Sequence, residues 1–208
     1  LSTTSNGNDV APGRINLEAG RNLEVSGGSE LRAEAQRPLG GTSPPAPPLD
    51  TPGNGLAIDR GDISLHAGSV LSLEDAQIST FTRRAVSGNI EVTAERAIES
   101  FSTTILTEVD RNDGTGGDIT ITAPIVLLSD SSFSADANGA SADAGNLLIS
   151  ASSALLVDAT TELTADPGQL GVAGEIVLST PETNLFSTLV VVGEQIKGPN
   201  EQITNPCE

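Results

Sequence analysis

The amino-acid sequence predicts an all-β fold, a single-stranded parallel β-helix of about six coils, each of about 28 residues with three short strands. Three observations predict it. A glycine, a polar residue and an alternating apolar run recur as GRINLEA from Gly13, GDISLHA from Gly61, GNIEVTA from Gly88, GDITITA from Gly117, GNLLISA from Gly145 and GEIVLST from Gly174. The glycine-to-glycine steps are 48, 27, 29, 28 and 29 residues, and a fixed period of this size means stacked units. The 208 residues include four Phe but no Tyr, Trp or Met, so the apolar content is Leu, Ile, Val and Ala in short pieces between Gly, Asn, Asp, Ser and Thr. That is strand-and-turn chemistry.

The first strand of each coil follows its glycine, with apolar residues two apart: Ile15/Leu17, Ile63/Leu65, Ile90/Val92, Ile119/Ile121, Leu147/Ile149 and Ile176/Leu178. Period two marks a strand with one buried face. A second strand is read at Leu23/Val25, Leu71/Leu73, Val126/Leu128 and Leu155/Val157, with Ile98/Ser100 as its weakest version. A third is read at Leu31/Ala33, Ile78/Thr80, Ile105/Thr107, Phe133/Ala135, Leu163/Ala165 and Leu189/Val191. Stacking equivalent strands of successive periods pairs the backbone groups and buries a ladder of Ile, Leu and Val.

Each repeat glycine is expected at a corner, where φ is positive or where coils approach closely. The residue after it runs Arg14, Asp62, Asn89, Asp118, Asn146, Glu175. Asn thus separates the carboxylates by two rungs, about 9.6 Å, and the alternation is expected to limit like-charge repulsion.

The long first interval holds QRPLGGTSPPAPPLDTPGNG, a proline-rich loop insertion over 37–55. Proline cannot donate to a ladder, so the segment is expected to be extruded. The repeats are read over 1–195 and a C-terminal tail over 196–208. The other coils carry their longest loops at the same place, collecting Asp110, Asp113, Asp136, Asp143 and Asp166 on one edge.

Ten Lys and Arg stand against 28 Asp and Glu, a formal charge of −18. Such a surface repels phosphate backbones and anionic membranes, which excludes nucleic acid as a partner class. The apolar runs fall far short of the roughly 20 residues that cross a bilayer, so no membrane span is expected. The chain begins at Leu1 without a signal-peptide pattern and is expected to be a piece of a longer polypeptide. Cys207 and His66 are each the sole residue of their type, which leaves no internal disulfide, zinc cluster or Ser-His-Asp set.

The stretch TGGDITITA lacks the Gly-Lys-Ser/Thr ending of a phosphate-binding loop. RNDGTGGD has the composition of a calcium loop without a regular nonapeptide spacing, making Asp110, Asp113 and Asp118 the calcium candidates. No other cofactor is expected. Some β-helices cleave polysaccharides with clustered carboxylates on one strand face. Here Glu91, Glu95 and Arg96 are the nearest approach to such a cluster, and a solvated face is much the better account of them. A non-catalytic role is therefore expected, with a polysaccharide lyase or hydrolase and a calcium-responsive spacer as alternatives.

The G-[DN]-I-x-[IV]-x-A strand, the stretches LSLEDAQIST and VLLSDSSFSA, and the close TPETNLFSTLVVVGEQIKGPNEQITNPCE together resemble the C-terminal part of filamentous-haemagglutinin-like exoproteins, particularly those of cyanobacteria. The resemblance covers nearly the whole chain. It implies secretion by the two-partner route through an outer-membrane transporter, an extracellular or cell-surface location, and an adhesin role toward cell-surface or matrix glycans and proteins. It carries over no site residues, because the repeats are structural.

Overall fold

The computed structural model describes residues 2–5, 14–35, 61–82, 86–110 and 114–181. They form fifteen strands and no helix: β1 (Ser2–Ser5), β2 (Ile15–Ala19), β3 (Leu23–Val25), β4 (Glu30–Ala35), β5 (Ile63–Ala67), β6 (Val70–Glu74), β7 (Gln77–Thr82), β8 (Ile90–Ala94), β9 (Ala97–Phe101), β10 (Thr104–Val109), β11 (Ile119–Ser129), β12 (Ser132–Ser134), β13 (Leu147–Val157), β14 (Glu162–Thr164) and β15 (Ile176–Ser179). Every ladder between them is parallel. The chain is a parallel β-solenoid.

The register follows the repeat. Ile15, Ile63, Ile90, Ile119, Leu147 and Ile176 align down the first-strand column. The third strands form a separate six-stranded sheet in the order β1-β4-β7-β10-β12-β14, while first and second strands share a nine-stranded sheet. Inward residues of both sheets, among them Leu65, Leu71, Ile78, Ile98, Ile105, Ile121, Val126 and Phe133, pack into one buried core. Full burial of such a side chain contributes roughly 1.5–3 kcal/mol, so the aliphatic ladder supplies the main cohesive term.

Three details depart from the repeat read in the sequence. Five coils have all three sides described. The sixth is described only as β15, and the third strand read at Leu189 and Val191 lies outside the described residues, as do the 37–55 insertion, the 196–208 tail and Cys207. Next, the first and second strands of the fourth and fifth coils are fused into the 11-residue strands β11 and β13. Earlier coils bend at Gly20-Arg21, Gly68-Ser69 and Glu95-Arg96, whereas here a register shift sets Pro124 against Ser152 and Ser153. A bulge of this kind turns the chain without ending the ladder. Finally, β1 pairs with β4 and places a third-type strand ahead of the first coil.

The corner glycines serve close approach. A Cβ on Gly117 would lie 1.9 Å from the Gly88 carbonyl oxygen, and one on Gly145 would lie 1.9 Å from that of Gly117. Gly61 has φ of 75°, a conformation that L side chains rarely adopt. Buried threonines close the facing corner: Thr80 Oγ1 donates to Gly88 O at 2.8 Å and Thr107 Oγ1 to Gly117 O at 2.6 Å. Ser100, inside the weak second strand, is buried and hydrogen-bonds at 3.0 Å to the buried Ser131, which lies between β11 and β12 in the next coil.

Candidate functional site

The polar side chains of the described residues are organised as columns that run from rung to rung. At the first corner, the Asn89 amide N–H donates to Asp62 Oδ1, that of Asp118 to Asn89 Oδ1, that of Asn146 to Asp118 Oδ1 and that of Glu175 to Asn146 Oδ1, all at 2.8–2.9 Å. Asn146 Nδ2 adds a second bond to Asp118 Oδ1 at 3.0 Å, and Arg14 caps the column by pairing with Asp62 at 3.3 Å. Each side chain thus satisfies a backbone donor that the strand ladder does not reach. The residue type required is a short side chain with an acceptor oxygen, which is why Asp and Asn alternate freely there.

A second column was not read in the sequence. Asp75, Ser102 and Asp130, at the ends of the second strands, have φ of 50°, 48° and 48°. Non-glycine residues in this left-handed region cost roughly 1 kcal/mol or more, and Asp tolerates it through local hydrogen bonds. Ser102 Oγ donates to Asp130 Oδ2 at 3.1 Å. Below it, Asp158 accepts from Ser129 Oγ at 2.6 Å, from the Asp130 amide at 3.2 Å, and from Thr161 through both N–H and Oγ1. The Ser129 bond, then that of Thr161, holds the Asp158 carboxyl well below the usual carboxylate range. The recurring Asp after [LV]-x-L-x in LSLED and VLLSD was the available signal.

The loop edge is laddered too. Asp136 accepts from Ser134 Oγ, Thr164 Oγ1 and the Asp166 amide, and Asp143 Oδ1 accepts from the Val172 amide. The Leu170 amide donates to Ala140 O and the Gly168 amide to Ala142 O, so one loop lies directly on the next. Val109, Ala137 and Ala142 form a small apolar cluster beneath this edge.

Of the calcium candidates, Asp118 is engaged in the corner column and Asp110 is an exposed residue whose amide donates to Thr82 O. Asp113 lies outside the described residues. Among the described residues no three His, Cys, Asp or Glu side chains converge as a metal site. Glu91 is exposed on β8, while Glu95 and Arg96 are exposed at the following bend. A shallow depression of about 400 Å³ lies over Arg14, Asn16, Asp62, Ser64, Asn89 and Glu91. No helix among the described residues is long and apolar enough to cross a membrane. Comparison with protein-family models, curated proteins and solved structures finds no match to this chain.

Proposed function

We propose that this chain is a non-catalytic structural segment of a secreted or surface-displayed exoprotein of the filamentous-haemagglutinin-like kind, exported through an outer-membrane transporter and making contact with cells or surfaces. The observation that supports this reading is the laddered loop edge. Loops held to one another by Asp136, Asp143 and backbone bonds stack at the rung spacing, roughly 4.8 Å, and so present outward groups side by side along one edge. Repeated weak contacts of that kind gain strength by avidity, without any deep pocket.

The test is retention of the labelled chain on cells and on glycan- or matrix-coated surfaces, compared with a tandem fusion of two copies. Adhesion predicts retention that rises steeply in the tandem form. Equal retention of the two forms, or retention of neither, would refute it.

A polysaccharide-active enzyme is the second reading, favoured by the depression that gathers Asp62, Glu91 and Arg14. It predicts reducing-sugar release or unsaturated products from acidic polysaccharides, lost in Glu91→Gln. Their absence across such substrates would remove it.

A further inference from the structure

Outward positions of a stacked sheet ordinarily carry polar side chains, as Asn16, Ser64 and Glu91 do on the first-strand column. Over the second strands of coils three to five apolar residues hold most of the outward positions instead, with Glu99 and Ser129 as the polar exceptions. The register aligns Ala97, Ile125 and Ala154 in one column and Leu127 and Leu156 in the next. Ile125 is 44 % and Leu156 53 % exposed, and Phe101 continues the patch at 38 %. Contiguous apolar surface rimmed by polar groups marks an interaction site.

The charge around it specifies the kind of partner. Glu99 sits beside Leu127 on the adjacent rung, Glu74 beside Phe101, and the exposed Asp130 and Asp158 end the same strands. From Asn112 to Ile196 the sequence holds no Lys or Arg but eleven Asp and Glu. A second copy set face to face would bring these acidic rims together with Arg96, at the bend before Ala97, as the one cation beside the patch among the described residues. An anionic lipid surface is repelled for the same reason. The shape suits a helix lying along the rod, because its pitch of about 5.4 Å runs nearly in step with rungs about 4.8 Å apart. Its apolar stripe would then meet successive outward side chains in the helix-in-groove manner.

We propose that the outer face of coils three to five, centred on Ile125, Leu127 and Leu156, is a docking surface for a cationic amphipathic polypeptide segment. The apolar stripe of the segment covers the patch and its Lys or Arg residues pair with Glu99 and Asp130, while Asp158, held by its own hydrogen bonds, adds to the negative potential of the rim. The inference concerns this surface alone and holds independently of export or adhesion.

The experiment titrates the full chain, at physiological salt, into a dye-labelled Leu/Lys amphipathic peptide and reads fluorescence anisotropy. Two comparison peptides replace Leu by Ser or Lys by Glu. The double variant Ile125→Ser/Leu156→Ser is scored together with Glu99→Lys, so that a loss of stability in the first leaves the second to decide. Saturable binding of the Leu/Lys peptide, weakened roughly tenfold or more by either variant and by either peptide change, supports the proposal. Equal binding by wild type and both variants, reflecting cations gathering on an acidic rod, overturns it. Absence of binding overturns it as well. So does a concentration-dependent dimer in sedimentation that the double variant disperses, since the occupant would then be a second copy.

Discussion

Replacing Asn146 or Asn89 by Asp tests the corner column quantitatively. Either change places a third carboxylate between two others, one rung away on each side: Asp62 and Asp118 around position 89, Asp118 and Glu175 around position 146. Two charges about 5 Å apart in water interact by about 0.8 kcal/mol, so two neighbours give about 1.6 kcal/mol before screening. The backbone bond survives in both variants, because an aspartate oxygen accepts the next amide as an asparagine oxygen does. A charged acceptor strengthens that bond, offsetting part of the repulsion. Asn146 differs in that its Nδ2 also donates to Asp118 Oδ1 at 3.0 Å. Losing that donor costs about 1 kcal/mol more. Asn89→Asp is therefore expected to lose about 1 kcal/mol and Asn146→Asp about 2 kcal/mol at low salt. Each kcal/mol lowers the melting temperature by roughly 2–4 °C in a chain of this size. Melting by circular dichroism at about 0.01 M and about 1 M salt, where the Debye length falls from ~30 Å to ~3 Å, separates the terms. At high salt Asn89→Asp is expected to approach wild type while Asn146→Asp keeps a deficit of about 1 kcal/mol. Equal deficits in the two variants at both salts would refute this account of the column.

Gly145→Ala should cost about 3–5 kcal/mol, because its Cβ meets a backbone oxygen that cannot rotate away; Gly20→Ala, with open space around its Cβ, should stay within about 0.5 kcal/mol. Comparable denaturant midpoints for the two would contradict the close-approach role of the stacked glycines. Ile121→Asp buries an unpaired charge at a position 1 % exposed and should cost about 4 kcal/mol or more. Hydrogen exchange should then show lost protection centred on β8, β11 and β13, and unchanged protection there would count against the register. The Asp158 carboxyl titrates lower in the folded chain than in the unfolded one. Its stabilisation is therefore present above about pH 4 and lost as pH falls below that toward the folded value. Asp158→Asn should flatten the acid side of the melting-temperature profile, and an unaltered slope would show that the carboxylate does not contribute.

Much of the candidate site was visible in the sequence as recurrence, but its chemistry was not. The alternation of Asp and Asn after the corner glycine reads as charge spacing. In the folded chain the same side chains are hydrogen-bond acceptors for amides about 28 residues away, as Asp118 is for Asn146. The loop carboxylates Asp136 and Asp143 were legible as an acidic edge, yet they are spent on Thr164, Asp166 and Val172 of the next layer. A carboxylate gathered in sequence is a free ligand only if no backbone donor reaches it first.

The sequence by itself determined the solenoid class, the rung spacing and the inward residues of the middle coils, because period-two apolar runs repeated at a fixed interval are buried by stacking, whereas Ile176 and Leu178 on the last described rung, and Val157, read as inward, are exposed. Ile63, Ile90, Ile119 and Leu147 are buried where that pattern requires. Tertiary structure alone decided how the corners are made. Whether a glycine is needed for a positive φ, as at Gly61, or for the approach of a neighbouring carbonyl, as at Gly117 and Gly145, depends on the coil above it. The fusion of β11 and β13 likewise depends on pairing between coils, where Pro124 faces two serines across a bulge. So does the apolar outer face: Ile125 and Leu156 read as ordinary strand residues until the register turns them toward solvent side by side. Local pattern selects which side of a strand is buried, but only the lateral stacking of distant segments sets what each exposed side chain stands beside.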